Sequence, residues 1–234
     1  MTKYYSEVLG YSIVKKEEEV VYLTNGPDHH NIILTQASKP EVISYGYQLT
    51  NNESLEAYSS YLTDNGFANE IKTNLLAGVE ELIEVKDPAG NTVHLFHSIS
   101  ESKHVCTTQG IAPYKLGHVA FFSNRAKETI DFYQNILNFY FTDTIGGGLA
   151  NFLTCNYEHH VINIVDAPFS GVHHIAFQLK DASHHFNSAD LLARANIPVL
   201  WGPTRHTAGH NIAAYHKDPE GNIIELYTDM DVFI

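Results

Sequence analysis

Between Arg205 and Glu225 the chain reads RHTAGHNIAAYHKDPEGNIIE, and three of its side chains could do chemistry together. His206 is followed nine residues later by Tyr215, and Tyr215 ten residues later by Glu225. An imidazole moves protons near neutral pH, a phenol donates or accepts a hydrogen bond, and a carboxylate neutralises a cation. Asp218-Pro219-Glu220-Gly221-Asn222 is a strong turn signal, with apolar residues Ile212–Tyr215 before it and Ile223–Tyr227 after it. A β-hairpin is therefore expected, with Tyr215 and Glu225 on adjacent strands. A carboxylate among aliphatic and aromatic strand residues is costly to bury unless it is paired or bound to a metal. Glu225 is thus the residue that most needs a partner.

Two further segments offer one. GHVAFF (Gly117–Phe122) and HHIAFQL (His173–Leu179) open successive units alike, and aligning VAF with IAF pairs His118 with His174. Each begins a strand, on the face shared with Ala120 or Ala176. With Glu225 they make two histidines and one carboxylate from three strands. Such a triad binds Fe(II) or Mn(II) on one face and leaves positions open for substrate, with zinc as a rival occupant. Alternation alone does not choose between His173 and His174, or between His159 and His160.

The elements that must position these residues come from an internal repeat. KYYSEVLGY (3–11) parallels DFYQNILNF (131–139), and YLTNGPDHHNI (22–32) parallels FLTCNYEHHVI (152–162). YQL (47–49) parallels FQL (177–179), and DPAGNTVHLF (87–96) parallels DPEGNIIELY (218–227). Four units of strand, helix and three strands follow, two to a domain. The predicted class is α+β, with paired βαβββ modules whose first lacks its first strand and so leaves a sheet edge unpaired. Expected helices are the end of one at Thr2–Gly10, Ser54–Asn65, Ala126–Leu137 and Ser183–Ala195. The domains are placed at 1–105, without a metal site, and 114–234, with it, joined through the polar run Ser100–Pro113. The repeat matches Glu225 to His94, His174 to Ser44, Tyr215 to Glu84 and His206 to Leu75, so the chemistry is assigned to the C-terminal half.

Composition narrows the partners. The 234 residues are 44 % hydrophobic, a globular makeup, and carry a formal net charge of −13, which excludes nucleic acid and anionic membrane as natural partners. No apolar run approaches a membrane span, and Cys106 and Cys155 show no metal-knuckle spacing, so a reduced, cytoplasmic setting is expected. The 15 histidines outnumber the 14 lysines and arginines together, which points toward site chemistry.

LGHVAFF, TCNYEHHVINIV, VHHIAFQL and GPTRHTAGHNIAAYHKDPEGNIIELYTD together resemble the type I extradiol ring-cleaving dioxygenases of the vicinal oxygen chelate superfamily. The resemblance covers essentially the whole chain. It implies a vicinal oxygen chelate fold and opening of a catechol ring by dioxygen to a muconic semialdehyde type product. It implies Fe(II), or Mn(II), held by His118, His174 and Glu225, with His160 as acid–base residue. His206 and Tyr215 are implied to bond the bound catechol and oxygen species. Phe152, Trp201 and Ile212 are candidates for the pocket wall. Of the remaining histidines, His184, His185, His210 and His216 read as surface residues or supports behind the site, His210 standing nearest the pocket. A homo-oligomer is the family's common state. Family members also begin with one more strand and continue past Asp231–Ile234, so this chain reads as a piece of a longer protein or one with a misassigned start. Two other functions stay open on the same scaffold, a non-catalytic ligand- or metal-binding module and a divalent-metal isomerase or lyase.

Overall fold

The structure, a computed structural model, describes residues 1–50, 53–103 and 109–233. Cys106, the 104–108 portion of the expected linker with the boundary at 105, and Ile234 lie outside the described residues.

The C-terminal half forms one sheet of eight strands. These are β8 (Lys115–Ser123), β9 (Tyr140–Ile145), β10 (Ala150–Thr154), β11 (Ile162–Asp166), β12 (Gly171–Gln178), β13 (Val199–Arg205), β14 (Ile212–Lys217) and β15 (Ile223–Thr228). Their order is β13-β14-β15-β12-β8-β11-β10-β9, so the two βαβββ modules meet where β12 pairs antiparallel with β8. The N-terminal half holds β1 (Ser12–Lys16), β2 (Val20–Thr24), β3 (Ile32–Thr35), β4 (Ser44–Gln48), β5 (Asn69–Leu76), β6 (Val79–Lys86) and β7 (Thr92–Phe96). Here the sheet is divided into β1-β2-β3 and β4-β7-β6-β5. The division falls at the place β8 occupies in the other half, where the first module has no strand among the described residues.

Helices cover the sheets for local reasons. α1 (Leu55–Asp64) starts where Ser54 caps the Ala57 amide and buries Leu55, Tyr58 and Leu62 on one stripe. α2 (Ala126–Asp131) is followed by a π-helical turn, Phe132–Ile136, so the helix expected through Leu137 changes register partway. α3 (Ala182–Arg194) is capped by Asp181 and buries His185, Ser188 and Leu192. The expected first helix end is a π-helical turn, Tyr4–Val8, closed at Gly10 with φ +86°.

The two larger hydrophobic cores are shared between the halves. One joins Tyr45, Leu62 and Ile83 to Phe121, Phe132 and Ile164. The other joins Tyr5, Leu9 and Leu23 to Phe177, Leu192 and Leu226. Two of the histidines expected at the surface or behind the site, His185 and His216, are buried structural ties. Buried His216 bonds the Tyr4 hydroxyl at 2.6 Å, and buried His185 bonds the Ile212 carbonyl at 3.0 Å.

Burial holds His216 down to about 4, and burial with the neighbouring His29 holds His30 to about 4. The unfolded chain therefore binds protons below about pH 6.5 that these folded sites refuse until about pH 4. Stability falls with pH across that window. By pH 5 each site should have cost about 2 kcal/mol relative to pH 7. Urea unfolding of His216→Gln at both pH values should show the pH-dependent loss smaller by about that amount.

Candidate metal centre

Strand register assembles the site. Tyr215 lies opposite Glu225, Glu225 opposite Ala176, and Ala176 opposite His118, with Trp201 opposite Tyr215 at the outer end. Residues directly opposite one another share a face, so five strands contribute one row. His174 stands two residues before Ala176 on β12 and therefore on the same face. The Asp218 turn fixes this register, its carboxylate accepting the Glu220 and Asn222 amides at 2.9 Å each.

The row brings three ligand atoms together. Glu225 Oε2 lies 2.9 Å from His174 Nε2 and 3.3 Å from His118 Nε2, and the two Nε2 atoms are 3.3 Å apart. Bond lengths near 2.1 Å at right angles around one metal put neighbouring ligand atoms about 3 Å apart. The triangle fits that spacing, and all three residues are buried. Burial alone would raise the Glu225 carboxyl, but His118 and His174 beside it hold it well below the usual carboxylate range. Burial lowers His118, against the pull of Glu225. A carboxylate with unprotonated imidazoles is the donor set that a hard-to-intermediate divalent cation takes. Among the described residues this is the one cluster with such spacing.

Around the triangle lie the other expected residues. The His160 ring centroid is 4.4 Å from that of His118 and 4.9 Å from that of Phe152. Burial, then His118, holds His160 well below the ordinary histidine range, so it is a neutral base at pH 7. Tyr215 donates to Glu225 Oε2 at 2.8 Å and meets His206 Nε2 at 3.1 Å. Burial, then Glu225, raises Tyr215, which keeps its proton. Trp201, half exposed, packs against His206 and Tyr215 with centroids 5.3 and 5.7 Å away. His210 is not drawn in: it is exposed and turns to Asp231, 2.6 Å from Nδ1. Of the adjacent pairs, His174 faces Glu225, while His173 lies against Phe122.

Asn211, which the sequence places at the start of a strand and gives no role, joins the site. It is buried and donates to Glu225 Oε1 at 3.0 Å, so the carboxylate is held from both sides. Its removal should free the carboxylate to rotate. Asn211→Leu is expected to weaken binding of a divalent cation about 10- to 100-fold, read by competition with a metal indicator.

The N-terminal half repeats the frame without the set. Glu84 lies opposite His94, and His94 opposite Gly46, where the other half has Tyr215, Glu225 and Ala176. His94 Nε2 meets Glu84 at 3.1 Å instead of a second ligand histidine.

Comparison with known proteins bears on the family and the fold. The family model described as Glyoxalase/Bleomycin resistance protein/Dioxygenase superfamily matches residues 1–95 and 115–226. The metapyrocatechase of Pseudomonas sp. (strain CF600) is 23 % identical, over 97 % of this chain and 81 % of the relative. An iron-dependent extradiol dioxygenase of Rhodococcus jostii (strain RHA1) is 26 % identical, over 63 % of this chain and 56 % of the relative. The crystal structure of the 2,3-dioxygenase LapB from Pseudomonas sp. KL28 superimposes with a TM-score of 0.90 at 21 % identity, covering 99 % of this chain and 88 % of that one. No helix among the described residues is long and apolar enough to cross a membrane.

Proposed function

The chain belongs to the glyoxalase/bleomycin resistance protein/dioxygenase superfamily, and from that premise we propose that it is an extradiol catechol dioxygenase. It would open a catechol ring with dioxygen to a muconic semialdehyde type product. The observation that carries the reading is the convergence of His118, His174 and Glu225 beside a neutral His160 and the Tyr215–His206 pair. Relatives named for catechol cleavage support it. His118, His174 and Glu225 would hold Fe(II), which the iron-dependent relative favours over Mn(II). Bound there, the metal supplies a positive charge that acidifies a catechol hydroxyl and a centre for exchanging electrons with dioxygen.

The chain's own residues handle position and protons. Two catechol oxygens approach the open side of the triangle, with Phe152 and Trp201 as apolar walls for the ring. His160 Nε2 takes a hydroxyl proton and returns it later to an oxygen of the product, which a neutral buried imidazole can do in both directions. Tyr215 keeps its proton, so its hydroxyl would turn from Glu225 to a negative oxygen atom beside His206 and orient it. His160, His206 and Tyr215 together speak against an isomerase or lyase, which has no evident need for groups that manage dioxygen.

The test is oxygen consumption by anaerobically iron-loaded protein given catechol or 2,3-dihydroxybiphenyl. One oxygen consumed per catechol, with a yellow product, is the expected result. Product formed under strict anaerobiosis would overturn the oxygen chemistry, and bound iron with tight catechol binding but no uptake would favour a binding module.

A further inference from the structure

His160 does not stand alone. Its Nδ1 lies 3.0 Å from His159 Nδ1, and both rings are buried. His159 Nε2 in turn lies 3.6 Å from Asp143 Oδ2, and Asp143 reaches the half-exposed face of β9. We propose that Asp143 and His159 are positioning residues that set which nitrogen of His160 carries its proton. The inference rests on the reaction assigned above, since it concerns that reaction's acid–base residue.

The chain of protons has one consistent order. Asp143 stands at ion-pair distance, 3.6 Å, and a carboxylate at neutral pH has no proton to offer, so its charge favours the N–H on the His159 nitrogen that faces it. Neutral His159 then has a bare Nδ1, and burial, opposed by Asp143 and Asp231, favours the neutral form. Two nitrogens 3.0 Å apart share a single hydrogen, so His160 must donate it from Nδ1. His160 Nε2 is left bare, presenting a lone pair to the substrate. Free histidine in water prefers the opposite tautomer, with the proton on Nε2. Without the pair behind it, His160 would offer a donor where the reaction first needs an acceptor.

The surroundings hold His159 in this pose. Phe233 stacks on its ring at 20°, and Gly209, at φ +68°, leaves room where a Cβ would come within 3.0 Å of His159 Nδ1. Asp143 is fixed by the Thr144 amide at 2.7 Å and lies opposite Phe152, whose ring packs on His160. The other half supplies an internal control. His29 and His30 repeat the same Nδ1 to Nδ1 approach at 3.0 Å, yet Lys15 lies opposite Tyr22 where Asp143 lies opposite Phe152. The histidine pair recurs in both halves, whereas an aspartate stands at this register position in the half with the metal cluster.

Histidine 15N shifts of the protein loaded with diamagnetic Zn(II) test the assignment. In the unaltered protein His160 should show N–H at Nδ1 and a bare Nε2. His159→Leu and Asp143→Ala should move the proton to Nε2, whereas His159→Gln and Asp143→Asn, whose side-chain oxygens still accept, should keep it on Nδ1. In the iron enzyme, turnover by His159→Leu should fall about 10- to 100-fold, with KM and zinc affinity little changed and His159→Gln largely restored. A proton on Nε2 in the unaltered protein, or an unmoved proton in His159→Leu, would overturn the proposal. If the tautomer is as expected but no catechol is cleaved, the reaction is misassigned and the proton order stands.

Discussion

Glu225→Ala should purify folded and bind no iron. Glu225 lies 2.9 and 3.3 Å from the two histidine nitrogens, and it is the only one of the three that carries a negative charge to offset a cation. Removing it leaves two neutral imidazoles in a buried site, where an unneutralised divalent ion is strongly disfavoured. Losing the metal removes several kcal/mol of charge stabilisation, so kcat/KM should drop by about 10³-fold or more. The fold has less to lose. The Tyr215 hydroxyl and the Asn211 amide forfeit an acceptor, at about 1–3 kcal/mol each, while a costly buried charge disappears. Glu225→Gln separates the effects, because it keeps volume and an acceptor while losing the charge. Iron per chain after anaerobic loading, and the thermal midpoint with and without Fe(II), are the readouts. The unaltered protein should gain stability from the metal, as any ligand bound only by the native state confers, and both variants should gain little. Stoichiometric iron in Glu225→Ala would show that the ligand set is wrong.

Much of this site was legible because the chain states it twice. The shared turn Asp-Pro-x-Gly-Asn fixed the Tyr215–Glu225 pairing, and the matched openings of β8 and β12 brought His118 and His174 to one face. What escaped was set by neighbours distant in sequence. β5 was missed because its residues are mostly polar and only partly covered, so no alternation marks it. β13 is likewise unmarked, since every one of its residues is exposed. Asn211 carries no pattern at all; only the closure of the 206–211 loop aims it at Glu225. Asp143 meets His159 through the pairing of β9 with β10, which shifts register between Phe152 and Leu153 and so cannot be counted off the sequence. The repeat also groups the units in order, first with second and third with fourth; hydrogen bonding joins the third and fourth in one sheet, while the first and second form separate sheets. The cores cross that grouping, packing the second unit against the third and the first against the fourth. Strand order follows local turns, whereas the faces left apolar decide what packs on what.

His160→Leu should keep its metal and lose its turnover. None of the three converging ligand atoms belongs to His160, so iron content should match the unaltered protein. Leucine fills a similar volume against Phe152 and His118, so the wall of the site survives. What is lost is the proton acceptor, and a positioned acid–base residue contributes about 10²- to 10⁴-fold. At 1.36 kcal/mol for each tenfold, that is about 3–5 kcal/mol of barrier. The split between constants decides the role. A residue that only shapes the pocket would raise KM and leave kcat, whereas a proton carrier lowers kcat with KM little moved. The pH profile supplies a second reading. Burial and His118 hold His160 well below the ordinary histidine range, so it remains a base through the mildly acidic region, and activity is lost only as pH falls through that lowered value. This acid limb should vanish in His160→Leu, whose residual rate no longer depends on that proton. Turnover within tenfold of the unaltered protein, on the same acid limb, would place the acid–base work on another group, and His206, 3.1 Å from the Tyr215 hydroxyl, would be the next to replace.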